Sequence, residues 1–174
     1  MKNRPMPQEM VPELNVNLIS GEEWDLKDQN PDLFTMIVFY RGLHCPVCEK
    51  YLKILDGLLE DYKVKGVDVI AISMDNKVRA RTTGMKWGLS KKLPLGYGLN
   101  EDTARSWGLY LSKAIKEYEP DIFVEPGLFL VKPDGTLYFT AINSTPWGRP
   151  HLPSFLQIFD FIKDSGYPAR GEYF

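Results

Sequence analysis

Two apolar runs flanking a helical pattern constrain this chain more than anything else in it. Met36-Ile37-Val38-Phe39-Tyr40 is one, and Val67 to Met74 (VDVIAISM) is the other. Short apolar runs of this kind read as strands buried on both faces. Between them Val47, Tyr51, Ile54, Leu55, Leu58, Leu59 and Tyr62 recur at helical spacing, while Glu49, Lys50, Lys53, Asp56, Glu60 and Asp61 fill the opposite face. This spacing predicts one amphipathic helix, closed by Gly66. A strand–helix–strand unit needs a crossover, so the two strands run parallel.

Further along, helix-like sequence returns over Asn76 to Trp87, with a short strand expected at Leu93-Pro94-Leu95 and a short helix over Asp102 to Trp107. Gly127 to Val131, the turn Lys132-Pro133-Asp134-Gly135 and Thr136 to Ile142 form a β-hairpin pattern. A last helix is expected from His151 to Lys163, with the stripe Leu152, Phe155, Leu156, Phe159 and Ile162 and a stop at Gly166. The whole reads as α/β: a mixed central sheet in three layers, with helices on both faces. At 174 residues the chain suits a single domain, 1–174, with residues 1–32 as an irregular arm holding at most a short strand near Val16 to Ile19. Residues 167–174 form an aromatic tail that packs either on the domain or on a second subunit, as in a homodimer.

Charge excludes some functions. With 21 Lys+Arg against 23 Asp+Glu there is no basic surplus for a phosphate-binding surface, so no nucleic-acid partner is expected. No apolar run approaches the ~20 residues of a membrane helix, and the opening MKNRPMPQEMVP lacks the apolar centre of a secretory signal. A soluble, cytoplasmic protein without a membrane partner is expected.

The chain has two cysteines, Cys45 and Cys48, three apart at the joint between the first strand and its helix. The first turn of a helix carries unpaired N–H groups and the positive end of the macrodipole, which stabilise a thiolate. Cys45 should therefore be nucleophilic at neutral pH, with Pro46 suited to the first helical position. Cys48, one turn on, can resolve a mixed disulfide. Two structural cysteines or a zinc clamp are the other readings. His44 and His151 nominally complete a Cys₂His₂ set, but adjacent His44 and Cys45 rarely reach one tetrahedral ion together, so no metal is expected. Haem attachment fails because Glu49, not His, follows Cys48. Arg41 either raises the local positive potential or is a solvated turn residue. His44 either tunes the thiolate and carries protons or forms a pocket wall.

Phe39-Tyr40-Arg41-Gly42-Leu43-His44-Cys45-Pro46-Val47-Cys48 resembles the active-site segment of the thioredoxin superfamily. It is closer to the peroxiredoxin-like members of the alkyl hydroperoxide reductase/thiol-specific antioxidant group. The runs Pro146-Trp147-Gly148-Arg149-Pro150 and Tyr167-Pro168-Ala169-Arg170-Gly171-Glu172 are similar to that group as well. The resemblance implies a thioredoxin-like fold and redox chemistry. Two departures stand out. Gly42 takes the place of the peroxiredoxin hydroxyl residue three before the cysteine, and Pro126 takes the place of the peroxiredoxin arginine. By the resemblance to thioredoxins, Pro126 is expected to follow Glu125 through a cis bond and to shape a groove where Glu125 pairs with an extended substrate; a trans proline opening a strand is the alternative. Trp147 and Arg149 lie on the segment after the second hairpin strand. Arg149 could supply the cation that Pro126 does not, or form a surface salt bridge.

The expected function is thiol–disulfide exchange by Cys45 and Cys48. The alternatives are a thiol peroxidase with Cys45 peroxidatic and Cys48 resolving, and a redox-silent binding module. No bound cofactor is implied. The resemblance implies a dithiol electron donor of thioredoxin or glutathione type, and a disulfide or hydroperoxide substrate.

Overall fold

The computed structural model describes residues 4–173; the first three residues of the arm and the last of the tail lie outside them. Its strands are β1 (Asn15–Leu18), β2 (Glu23–Asp25), β3 (Phe34–Phe39), β4 (Val67–Ile72), β5 (Leu95–Tyr97), β6 (Leu111–Lys113), β7 (Ile122–Val124), β8 (Gly127–Val131) and β9 (Leu137–Ile142). The helices are α1 (Pro46–Gly57), α2 (Leu59–Val64), α3 (Lys77–Lys86), α4 (Glu101–Ser106), α5 (Leu152–Phe155) and α6 (Ile158–Ser165). Seven strands form one mixed sheet in the order β2-β1-β5-β4-β3-β8-β9, and β6 and β7 pair separately. β3, β4 and β5 run parallel, and β8 lies antiparallel to β3, with Phe39 opposite Ile72 on one side and Gly127 on the other.

The two-residue period of a strand sorts the core into two layers. Phe34, Met36 and Val38 of β3, Ala71 of β4 and Leu128 and Leu130 of β8 pack with Leu52, Leu55, Tyr62, Phe159 and Ile162 of the helices. Ile37, Phe39, Ile70, Ile72, Phe129 and Val131 face the other way, onto Ala104 of α4 and Trp107 just after it. The sheet is therefore covered on both sides, as expected of a thioredoxin-like fold.

Several elements differ from expectation. The arm holds the short strand expected near Val16, as β1, and an unexpected β2; together they extend the sheet beyond β5, and the Gln8 and Val11 amides donate to the Leu137 and Gly135 carbonyls of the hairpin. Strands this short carry too few residues for a period to show. The single helix expected after Cys45 is two. The backbone leaves helical geometry at Leu58 (φ −107°, ψ 3°), next to Gly57, a poor helix former. The buried stripe of α1 is Cys48, Leu52 and Leu55, whereas Ile54 is 46% exposed. The stripe is thus turned by about one residue, roughly 100°, because Cys48 acts as an apolar core residue. The last helix also divides, the amide of Gln157 reaching back only three residues to Ser154. The strand expected at residues 93–95 lies two residues later, and the β6–β7 pair was not anticipated. The start of the tail touches the domain: Tyr138 donates to the Tyr167 carbonyl at 2.9 Å, Gln8 donates to the Ala169 carbonyl at 2.9 Å, and Ala169 is buried, while Tyr173 is exposed. None of the helices among the described residues is long and apolar enough to cross a membrane.

Candidate active site

Parallel strands β3 and β4 end side by side, so the turn leaving β3 and the residues following β4 meet at one edge of the domain. Binding sites in open α/β sheets lie beyond the carboxyl ends of such strands. Here the turn from Arg41 to His44 leads into α1, with Cys45 as its N-cap in extended geometry and Pro46 at its start. The Cys48 amide donates to Cys45 Sγ at 3.2 Å, the geometry of a side chain capping a helix. Both cysteines are free and buried, Cys45 1% and Cys48 0% exposed.

The two thiols differ in acidity. Cys45 is held down at about 6, chiefly by the hydrogen bond from the Cys48 side chain, against the opposing effect of burial. The Cys48 amide, Arg149 and Arg41 add to the lowering. Burial pushes Cys48 far upward, and its hydrogen bond to Cys45 adds to this. The pair therefore favours the thiolate on Cys45 and the thiol on Cys48.

Two basic residues come from distant segments. Arg149 Nη2 donates to Cys48 Sγ at 3.0 Å, and its guanidinium lies 4.6 Å from the Tyr51 ring centre. Arg149 thus lies beside the cysteine pair, and it touches the second sulfur rather than the first. Arg41 is not a solvated turn residue: its Nε lies 3.4 Å from Glu125 Oε2 and its guanidinium 4.7 Å from the Phe123 ring centre.

Glu125 and Pro126 depart from the expected groove. Among the described residues there are no cis peptide bonds, so Pro126 is trans. It joins β7 to β8, with its carbonyl accepting from the Asn143 amide at 2.9 Å. The Glu125 amide already donates to the Tyr110 carbonyl at 2.8 Å, and its buried carboxylate accepts from the Ser112 hydroxyl at 2.6 Å. These bonds tie Glu125 to the β6–β7 pair and leave its amide no free role toward a substrate. His44 packs edge-on against Phe123, ring centres 4.6 Å apart, and both its ring nitrogens are buried without a hydrogen-bond partner. Burial, then Arg41, lowers its pKa, which disfavours the imidazolium form. Trp147 is 76% exposed and lines a groove of about 180 Å³ with Val47, Tyr51, Ile54 and Arg149.

Sequence reasoning missed Asp75. Its side chain is fully buried; Oδ2 accepts from the Leu43 amide at 2.8 Å and Oδ1 from Arg79 Nε at 2.9 Å. A Cβ on Gly42 (φ 126°) would lie 2.6 Å from Asp75 Oδ2. A side chain at position 42 would therefore meet the Asp75 carboxylate, which glycine avoids. The available signal was an acid just past the end of a parallel strand adjoining the cysteine strand. Among the described residues no three His, Cys, Asp or Glu side chains converge as metal ligands would.

Residues 7–140 match the AhpC/TSA family. No curated protein matches the chain. Among solved structures, peroxidoxin BcpB from Mycobacterium tuberculosis is similar with a TM-score of 0.73 at 15% identity, over 91% of this chain and 99% of that one. A peroxiredoxin-like protein from Aquifex aeolicus gives 0.70 at 15% identity, over 91% and 88%. A mutant of peroxiredoxin 6 from Arenicola marina gives 0.74 at 18% identity, over 92% and 74%. At these identities the likeness is one of fold.

Proposed function

From this chain's membership of the AhpC/TSA family we propose that it is a thiol peroxidase, with Cys45 attacking a hydroperoxide and Cys48 resolving the product. What carries this reading is the state of Cys45: its thiolate is favoured at neutral pH, yet the residue is only 1% exposed. A protein disulfide needs an accessible nucleophile to pack against, whereas a small oxidant needs far less room. In the first step the Cys45 thiolate bonds to the outer peroxide oxygen, the O–O bond breaks, and the alkoxide leaves as an alcohol after taking a proton from solvent. Cys45 is then a sulfenic acid. Cys48 attacks that sulfur, the S–O bond breaks, and water leaves with the Cys48 proton. A donor dithiol reduces the resulting disulfide and is itself oxidised. The established peroxiredoxin hydroxyl and arginine positions are filled here by Gly42 and Pro126, so Arg41 and Arg149 provide the positive potential near the sulfurs.

Thiol–disulfide exchange is the second reading, favoured by the CPVC spacing and the short turn before Cys45. The reduced protein is mixed separately with hydrogen peroxide, an organic hydroperoxide and an oxidised protein disulfide, and loss of free thiol is followed. Faster oxidation by either peroxide is expected. Faster oxidation by the protein disulfide would reverse the order of the two readings. Loss of neither thiol with any oxidant would leave a redox-silent module.

A further inference from the structure

Arg149 sits against the sulfur that acts second. Its Nη2 donates to Cys48 Sγ at 3.0 Å, and Nε donates to the Pro146 carbonyl at 2.9 Å. The Tyr51 ring lies under the guanidinium at 4.6 Å, and the Tyr51 hydroxyl donates to the Pro150 carbonyl at 2.8 Å. These contacts fix the guanidinium over Cys48. Its other arm, Nη1, is buried without a hydrogen-bond partner, and among the described residues no carboxylate is ion-paired with Arg149. An arginine that only braced its loop would have its buried donors filled and its charge matched.

We propose that Arg149 is the catalytic residue of the resolving half-reaction, holding Cys48 as the attacking thiolate once Cys45 has been oxidised. The inference rests on the two-cysteine cycle above. Four groups bear on the Cys48 sulfur: Cys45 on its own helix, Tyr40 and Arg41 after β3, and Arg149. In the reduced pair Cys45 holds the negative charge, and that charge together with burial keeps Cys48 protonated. Oxidation makes Cys45 a neutral sulfenic acid or mixed disulfide. Its negative charge is gone, while Arg149 remains 3.0 Å from Cys48. The site's one negative charge can then pass to Cys48, in the order the chemistry requires. The Cys48 proton goes to the departing oxygen, which leaves as water, or to the departing thiol of a mixed disulfide.

The test uses the reduced, full-length protein and 4,4′-dithiodipyridine, which reports both steps without peroxide. One thiopyridone is released when Cys45 attacks and a second when Cys48 displaces the mixed disulfide. In Arg149→Met, the first phase is followed at about pH 8.5, where Cys45 is ionised with or without the arginine, and should change less than about threefold. The second phase, followed at about pH 7, should slow at least about tenfold, with Arg149→Lys recovering part of the loss. With hydrogen peroxide, Arg149→Met should accumulate a Cys45 sulfenic acid that dimedone traps. An unchanged second phase, or equal slowing of both phases, would overturn the role of Arg149. If the phases separate but peroxide oxidises neither thiol in the native protein, the peroxidase reading falls and the role of Arg149 stands. If peroxide oxidises Cys45 and the phases do not separate, the reverse holds.

Discussion

Replacing Cys48 with Ala removes the hydrogen bond that contributes most to holding Cys45 ionised. The fall from 9.0 to about 6 is about three pH units, or about 4 kcal/mol in favour of the thiolate. In Cys48→Ala the amide at 3.2 Å and the two arginines remain, so part of the lowering persists. The ionisation midpoint should rise by at least about one unit. Cys48→Ser keeps a donor and should stay near the native value. Absolute rates are a poor readout here. At pH 7 the native thiolate is about 90% formed, against about 1% for a thiol titrating at 9. Nucleophilicity falls with basicity, however, by roughly 20-fold over three units at a Brønsted slope near 0.45. The net gain in alkylation rate at pH 7 is only about fourfold. The assay is therefore a pH profile of iodoacetamide alkylation, with the Cys45 peptide quantified by mass and Cys45→Ser as the blank. A native midpoint at 8 or above, or the same midpoint in Cys48→Ala and the native protein, would refute the reasoning.

The cysteine pair also makes stability depend on pH. Cys45 has a depressed folded pKa, so its contribution is full above the unfolded value near ~8.5 and is lost as pH falls through about 6. Denaturant unfolding should show the native protein gaining on Cys45→Ser by about 1.4 kcal/mol per unit across that window. A flat difference across that window would contradict the ionised Cys45. Gly42→Ala puts a Cβ 2.6 Å from Asp75 Oδ2 at φ 126°, and should lower stability by about 1–3 kcal/mol. A neutral result would mean that Asp75 does not fill that space. Leu52→Ala should cost about 2–5 kcal/mol and exposed Ile54→Ala under about 1, by the same denaturation measurement. Equal costs would show that the stripe of α1 is misplaced.

The elements legible from the chain were those whose cause is local. The Met36–Tyr40 run is apolar on both faces and the Val67–Met74 run is largely so, and the structure sets both in the middle of the sheet. Asn76 caps α3 and Gly166 closes α6 in the left-handed conformation, each within one turn of the helix it ends. The place of Cys45 as a helix cap was readable for the same reason, since a cap acts over three or four residues. β1, β2, β6 and β7 were not clearly readable, because strands of three or four residues at a sheet edge or in a separate pair show too little period to separate from loop.

Sequence by itself determined the parallel strand–helix–strand unit, the hairpin and the placement of Cys45 at a helix start. Only the tertiary structure decided which charges that sulfur meets. It matched Glu125 to Arg41 and Ser112, set Asp75 beneath Gly42, and placed Arg149 on Cys48 across 101 residues of chain. A helix cap or a strand period is set by neighbours along the backbone. The effect of a charge is set by distance and burial in space, and those exist only once the chain has folded.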